Sequence, residues 1–198
     1  MIETQTIENG HELMPPEREQ EDPRGDGWFV LRSGGKFFPL LPKPEEIHIK
    51  DIAFALSNIC RFGGHVEFYS VAEHCCHICD AAPQHLKLLG LLHDATEAFL
   101  GDMVRPLKQQ MPEYKRVEDY LWNVIADRFD LPRSTHTVKD LDNRALLAER
   151  NFLMEPGPNT RDWYWDHNGT VPLDCKIGCW SPQLARAQFM KRYEALTK

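Results

Sequence analysis

Apolar residues recur at helical intervals through most of the chain after Lys50, and alternate as in a strand only nearer the start. Ile52, Leu56 and Ile59 form one stripe that ends at Gly63-Gly64, so a first helix opens near Lys50. Ser70-Val71-Ala72-Glu73 has the spacing of a capping box and predicts a helix to about Ala81. Pro83 starts a long helix to about Leu100, another runs from Pro112 to Phe129, and a fifth from Thr137 to Met154. Ser181-Pro182 caps a closing helix that ends near Leu196. Upstream, residues 27–32 and 36–40 flank Ser33-Gly34-Gly35, which is a hairpin signal. The pattern predicts an all-α helical bundle with a small β-hairpin at its N-terminal edge.

Residues 1–25 are polar and acidic, carry Pro15, Pro16 and Pro23, and show no period. They read as a flexible arm, with residues 26–198 as a single domain. Within it lie the hairpin (27–40), a helical core (50–154) and the C-terminal helix (181–196). A chain of 198 residues suffices for one substantial core. The net charge of −7 argues against a nucleic-acid polymer as partner, because such binding needs clustered Lys and Arg. It leaves room for a small phosphorylated ligand held by a few local cations. No stretch approaches the ~20 apolar residues of a membrane span, so a cytoplasmic protein is expected. The six cysteines lack paired zinc-ribbon spacing and read as free thiols.

The run Leu88–Asp102 departs from this plain picture. His93-Asp94, Glu97 and Asp102 interrupt or closely follow an apolar helix, where ionisable groups are costly unless something compensates them. His74 shares a helix face with Val71, Ile78 and Ala81, and Asp142 with Val138, Ala145 and Leu146. Taken singly, each is an ordinary core polar group. Taken together, three helices direct two imidazoles and two carboxylates inward, a donor set suited to one divalent cation with open positions.

The order His74, His93-Asp94, Asp142 resembles the H…HD…D pattern of the HD-domain metal-dependent phosphohydrolases. The strings Ser70–His74 and Leu92–Ala98, with Gly101-Asp102 and Pro106-Leu107-Lys108, are similar to the bacterial 5′-deoxynucleotidase branch. Ile59–His65 and the hairpin resemble a bacterial and phage subgroup. The resemblance covers roughly residues 28–154 and implies an HD-domain bundle with His74, His93, Asp94 and Asp142 as metal ligands. The cofactor implied is one divalent ion (Zn, Co, Mn or Ni, with Mg also accommodated) that activates water and polarises a phosphoryl oxygen.

By the same resemblance Glu97 and Asp94 are the catalytic carboxylates, Glu97 orienting water or handling a proton. Its offsets of four from His93 and three from Asp94 put it on the ligand face of a regular helix; the plainer alternative is a surface glutamate. Arg61 and Lys108 match phosphate contacts and Asp102 a sugar-hydroxyl contact, with His65 and Arg105 as further substrate contacts. Alternatively, Arg61 is a helix-terminal cation and Lys108 a solvated lysine. Where the deoxynucleotidase branch carries Arg-Trp, this chain has Arg61-Phe62, which bears on how the sugar is selected.

The substrate implied is a deoxynucleotide, foremost the deoxyadenosine series dATP, dADP and dAMP, and relatives commonly form homo-oligomers. Two rivals stand beside it: the same chemistry on a signalling or cyclic nucleotide, and a nucleotide-binding module without turnover. The cluster Trp163-Tyr164-Trp165 reads as packing or an oligomer contact ahead of base stacking.

Overall fold

The computed structural model describes residues 22–160 and 162–198; most of the arm expected at residues 1–25 lies outside them. Residues 22–25 form a turn, and the Arg24 guanidinium pairs with Asp22 and Glu46 while lying 3.7 Å over the Phe38 ring. Strands β1 (Phe29–Val30) and β2 (Lys36–Phe37) pair antiparallel, Phe29 opposite Phe37. Helices α1 (Ile49–Asn58) and α2 (Val71–Ala81) follow, then α3 (Lys87–Leu92), α4 (Glu97–Leu100) and α5 (Arg105–Lys108). The chain closes with α6 (Pro112–Phe129), α7 (Lys139–Leu153), the single turn α8 (Tyr164–His167) and α9 (Pro182–Leu196). The fold is mostly helical with one small hairpin, as the periodicity predicts.

The bundle is built around α2, which packs against α1, α3, α7 and α9. Nine consecutive residues, Val71 to Cys79, are buried, so α2 has no solvent face over most of its length. The sequence reads as one stripe because Cys75, Cys76 and Cys79 look polar-neutral, yet free cysteine packs as a small hydrophobe. Burial of these thiols raises their pKa, well above the ordinary thiol range at Cys75 and Cys76 and to about 11 at Cys79. They are packing groups.

Two local departures shape the site. First, Ser70 Oγ accepts the Glu73 amide as expected, but Glu73 does not close a capping box. Its fully buried carboxylate accepts instead from the amides of Gly178 and Trp180, each at 2.6 Å. A carboxylate in that interior needs donors, and the segment before α9 supplies them. This contact ties the C-terminal part of the chain to the start of α2. Second, the predicted helix from Pro83 to Leu100 is broken. Residues 93–96 form turns between α3 and α4 with i→i+3 bonds, among them Ala95 N–H to Leu92 O at 2.9 Å and Glu97 N–H to Asp94 O at 3.0 Å. Tightening of this kind within a helical run changes the angular spacing of side chains from that of a regular helix.

The tight turn is held from both sides. Phe37 of the hairpin stacks on Phe99 of α4 with ring centroids 4.3 Å apart. Gly90 lets α3 close on α2: a Cβ there would stand 3.3 Å from Cys79 N and from Ile78 atoms. Among the described residues, no helix is long and apolar enough to cross a membrane.

Gly90→Val inserts three carbons into that contact. The expected outcome is a loss of about 1–3 kcal/mol of stability, read from denaturant unfolding. Unchanged stability would mean that α3 and α2 can move apart freely.

Candidate metal centre and cleft

Residues 59–71 bring the first site residue into place. Cys60 and Ser70 form an antiparallel bridge, flanked by Arg61 N–H to Tyr69 O (2.9 Å) and Val71 N–H to Ile59 O (3.1 Å). Arg61 and Tyr69 therefore lie side by side just ahead of α2. Phe62, Gly63 and Gly64 all take positive φ (58°, 60° and 78°), the reversal that lets the chain return within a few residues. Two glycines make that turn sterically accessible, and Phe62 carries the strain.

His74 from α2 and His93 from the turn after α3 point their Nε2 atoms at one another, 3.3 Å apart. Asp94 Oδ2 stands 3.5 Å from His74 Nε2 and 3.3 Å from His93 Nε2. These three ligand atoms all lie within 4.8 Å of one another and can hold a metal ion. Adjacent ligands bonded to one cation at about 2.1 Å stand about 3.0–3.4 Å apart, so the spacing suits a single ion. Two imidazole nitrogens and a carboxylate fit a borderline or hard divalent metal.

Both histidines are anchored through their other nitrogen. His93 Nδ1 is 2.9 Å from Gly90 O, which can only accept, so Nδ1 carries the proton. His74 Nδ1 is 2.5 Å from Glu149 Oε1. In each ring the Nε2 lone pair is thereby aimed at the cluster, the arrangement common to metal-ligating histidines.

Asp142 flanks the cluster from α7 without joining the tightest group. Its Oδ1 is 3.3 Å from His74 Nε2, while Oδ2 is 2.5 Å from Lys139 Nζ and 3.8 Å from an Arg105 nitrogen. Burial opposes its ionisation, yet the hydrogen bond and charge of His74 hold its carboxyl well below the ordinary range.

The cluster borders a cleft of ≈ 840 Å³ whose walls include Arg61, Phe62, Glu97, Asp102, Arg105 and Lys108. Glu97 is 6% exposed and its Oε2 has no hydrogen-bond partner among the described residues. Burial first, then the charges of Asp94 and Asp102, keeps its carboxyl well above the usual range. Asp94 goes the other way: burial resists, but the imidazoles of His93 and His74 pull it down. Two carboxyl groups three residues apart are thus pushed in opposite directions, a common basis for acid–base division of labour. Asp102 is raised chiefly by burial, and Lys108 bonds Glu118 at 2.6 Å beside the cleft.

The structure separates the sequence-predicted residues. His74, His93 and Asp94 converge, Asp142 touches His74, and Glu97, Arg61, Asp102, Arg105 and Lys108 line the adjoining cleft. His65 does not join them: it is exposed at the end of the 62–64 turn and is absent from the cleft lining, because the reversal at Gly63-Gly64 carries it outward. Trp163 belongs to the cleft wall, held beside Arg150, whose guanidinium is 5.0 Å from its ring and pairs with Asp166.

Sequence reasoning missed Glu149 and Tyr69. Glu149 has no exposure and receives His74, Tyr69 OH (3.0 Å) and the Arg61 guanidinium, Nε at 3.2 Å and a terminal nitrogen at 3.1 Å. A signal was available, since Glu149 lies seven residues after Asp142 and so on the same face of α7. Burial and the Arg61 charge push the His74 imidazole down, but the Glu149 and Asp142 carboxylates prevail and raise it to about 9.

His74→Ala and His93→Ala should each weaken Mn²⁺ binding by at least about 100-fold, measured by titration calorimetry, while His65→Ala leaves it unchanged. Equal affinity in the three variants would detach the imidazole cluster from metal binding.

No family model matches the chain. It is 36% identical over 116 residues to an uncharacterized protein of Rhodobacter capsulatus, covering 53% of this chain and 59% of that protein. It is 43% identical over 171 residues to the uncharacterized protein YfdR of Escherichia coli strain K12, covering 84% of this chain and 93% of that protein. Identity at that level over nearly all of the relative makes the conclusion direct: the chain belongs to the YfdR family.

Proposed function

We propose that the helical bundle is an HD-domain fold and that the protein is a metal-dependent phosphohydrolase of deoxynucleotides. The observation that carries this reading is the meeting of His74, His93 and Asp94 at a cleft that also presents Glu97, whose Oε2 has no partner among the described residues. Asp142, whose Oδ1 is 3.3 Å from His74 Nε2, is the fourth ligand in this reading. A divalent cation bound there supplies Lewis-acid polarisation of a phosphoryl oxygen and acidifies water.

The remaining work falls to the chain's own groups. Arg61 and Lys108 orient the phosphate, the guanidinium through the terminal nitrogen left toward the cleft and the ammonium as a second cation. Glu97 Oε2, which has no partner among the described residues, orients the attacking water and moves its proton. Burial and the neighbouring Asp94 and Asp102 charges raise its pKa, the direction that strengthens a carboxylate as a proton acceptor. Asp102 accepts from a sugar hydroxyl and Phe62 packs on the sugar face, both from the cleft wall. The deoxyadenosine series dATP, dADP and dAMP heads the substrate list on resemblance.

The test is phosphate or triphosphate release across a panel of ribo-, deoxyribo- and cyclic nucleotides with Mn²⁺, Co²⁺, Zn²⁺ or Mg²⁺, with products separated by chromatography. Turnover should require the metal, stop on chelation, and favour deoxyadenosine nucleotides. Release confined to a cyclic or signalling nucleotide would move the substrate class, and binding without release would leave a nucleotide-binding module. Asp94→Ala should lose both cation and turnover. Glu97→Gln should keep the cation and slow turnover by about 10²–10⁴-fold; a wild-type rate would remove Glu97 from the chemistry.

A further inference from the structure

Glu149 stands outside the cleft lining, yet it touches both halves of the site. One fully buried carboxylate receives four donors from three parts of the chain: His74 Nδ1, Tyr69 OH, and Nε and a terminal nitrogen of Arg61. The two ends of this arrangement do different things. On one side it anchors the imidazole whose Nε2 joins the ligand cluster. On the other it holds one edge of the Arg61 guanidinium, leaving the second terminal nitrogen 3.6 Å from Asp94 Oδ2 at the cleft.

We propose that Glu149 is a positioning residue shared by the metal site and the anion site, fixing His74 as an Nε2 ligand and Arg61 as a phosphate clamp. The inference deepens the metal-dependent reading above and rests on it.

The chemistry of the anchor explains why a carboxylate is needed. His93 is anchored on the carbonyl of Gly90, a neutral acceptor, whereas His74 is anchored on a charged one. Hydrogen bonds to a charged acceptor are stronger and make the opposite nitrogen a better donor to a metal. A single neutral acceptor could satisfy His74, but not the buried Arg61 charge at the same time. Because both demands meet in one group, neither His74 nor Arg61 can rotate without stranding the other's partner. The Tyr69 hydroxyl takes part of the remaining acceptor capacity and limits the carboxylate to one orientation.

The experiment uses the full chain in three forms: wild type, Glu149→Gln and Tyr69→Phe. Calorimetry measures Mn²⁺ affinity, then inorganic phosphate affinity at saturating Mn²⁺. Glu149→Gln should lose about 10–100-fold in Mn²⁺ affinity and at least about tenfold in phosphate affinity, with Tyr69→Phe changed in the same direction by less. Loss of Mn²⁺ affinity with phosphate affinity intact would overturn the shared role, and wild-type values for both would overturn the proposal outright. A wild type that binds no divalent cation would instead sink the metal-dependent reading beneath it.

Glu149→Gln strands a buried guanidinium and can unfold, so a second measurement uses the unaltered sequence. In the Zn²⁺-loaded wild type, two-bond ¹H–¹⁵N spectra of the imidazoles should show His74 coordinated through Nε2 with Nδ1 protonated. Coordination through Nδ1 would contradict the anchoring by Glu149 whatever the variant does.

Discussion

Ionised groups do not stay in a protein interior unless something of opposite charge or matching hydrogen-bond capacity is held against them. Here Arg61 and Glu149 are both buried, and the local structure of the bundle keeps them paired with each other and Glu149 against the His74 ring. The bridge between Cys60 and Ser70 sets Arg61 and Tyr69 beside the start of α2, and α7 brings Glu149 across to meet them. Breaking a pair of this kind typically costs about 3–5 kcal/mol, because the partner left behind keeps its desolvation penalty. That penalty gives the inner wall of the site its rigidity.

The same accounting applies at Glu73. A buried carboxylate one residue before His74 finds its donors in two backbone amides from the segment leading into α9. Gly178 suits that role because a Cβ there would fall 2.3 Å from the Trp180 indole nitrogen. The C-terminal helix is thus fastened to the helix that carries the first histidine, and packs on α1, α2 and α3. Local helix capping gave way to a longer-range contact that satisfies two amides at once.

Helix positions and the hairpin were legible because period and caps are local properties. α6 and α9 begin and end at the residues that Pro112, Phe129, Ser181 and Leu196 suggest. The break at His93–Thr96 was not legible, because Leu-rich flanks continue the helical period across it, and the tightening is visible only in the i→i+3 bonds of the structure. The convergence of His74, His93 and Asp94 could be read from polar residues on apolar faces. Glu149 escaped because it lies toward the far end of α7 from Asp142, and its partner Tyr69 falls between α1 and α2, outside any periodic element. His65 was drawn in by its neighbours in sequence, whereas two glycines with positive φ turn it outward. Sequence proximity to a site residue is a weak guide across such a reversal.

Whether His74, His93 and Asp94 share one cation can be read from anomalous diffraction of crystals grown with Mn²⁺, recorded at the manganese absorption edge. One strong peak is expected about 2.0–2.3 Å from His74 Nε2, His93 Nε2 and an Asp94 oxygen. A manganese peak elsewhere, with these three side chains bonded only to one another, would contradict it.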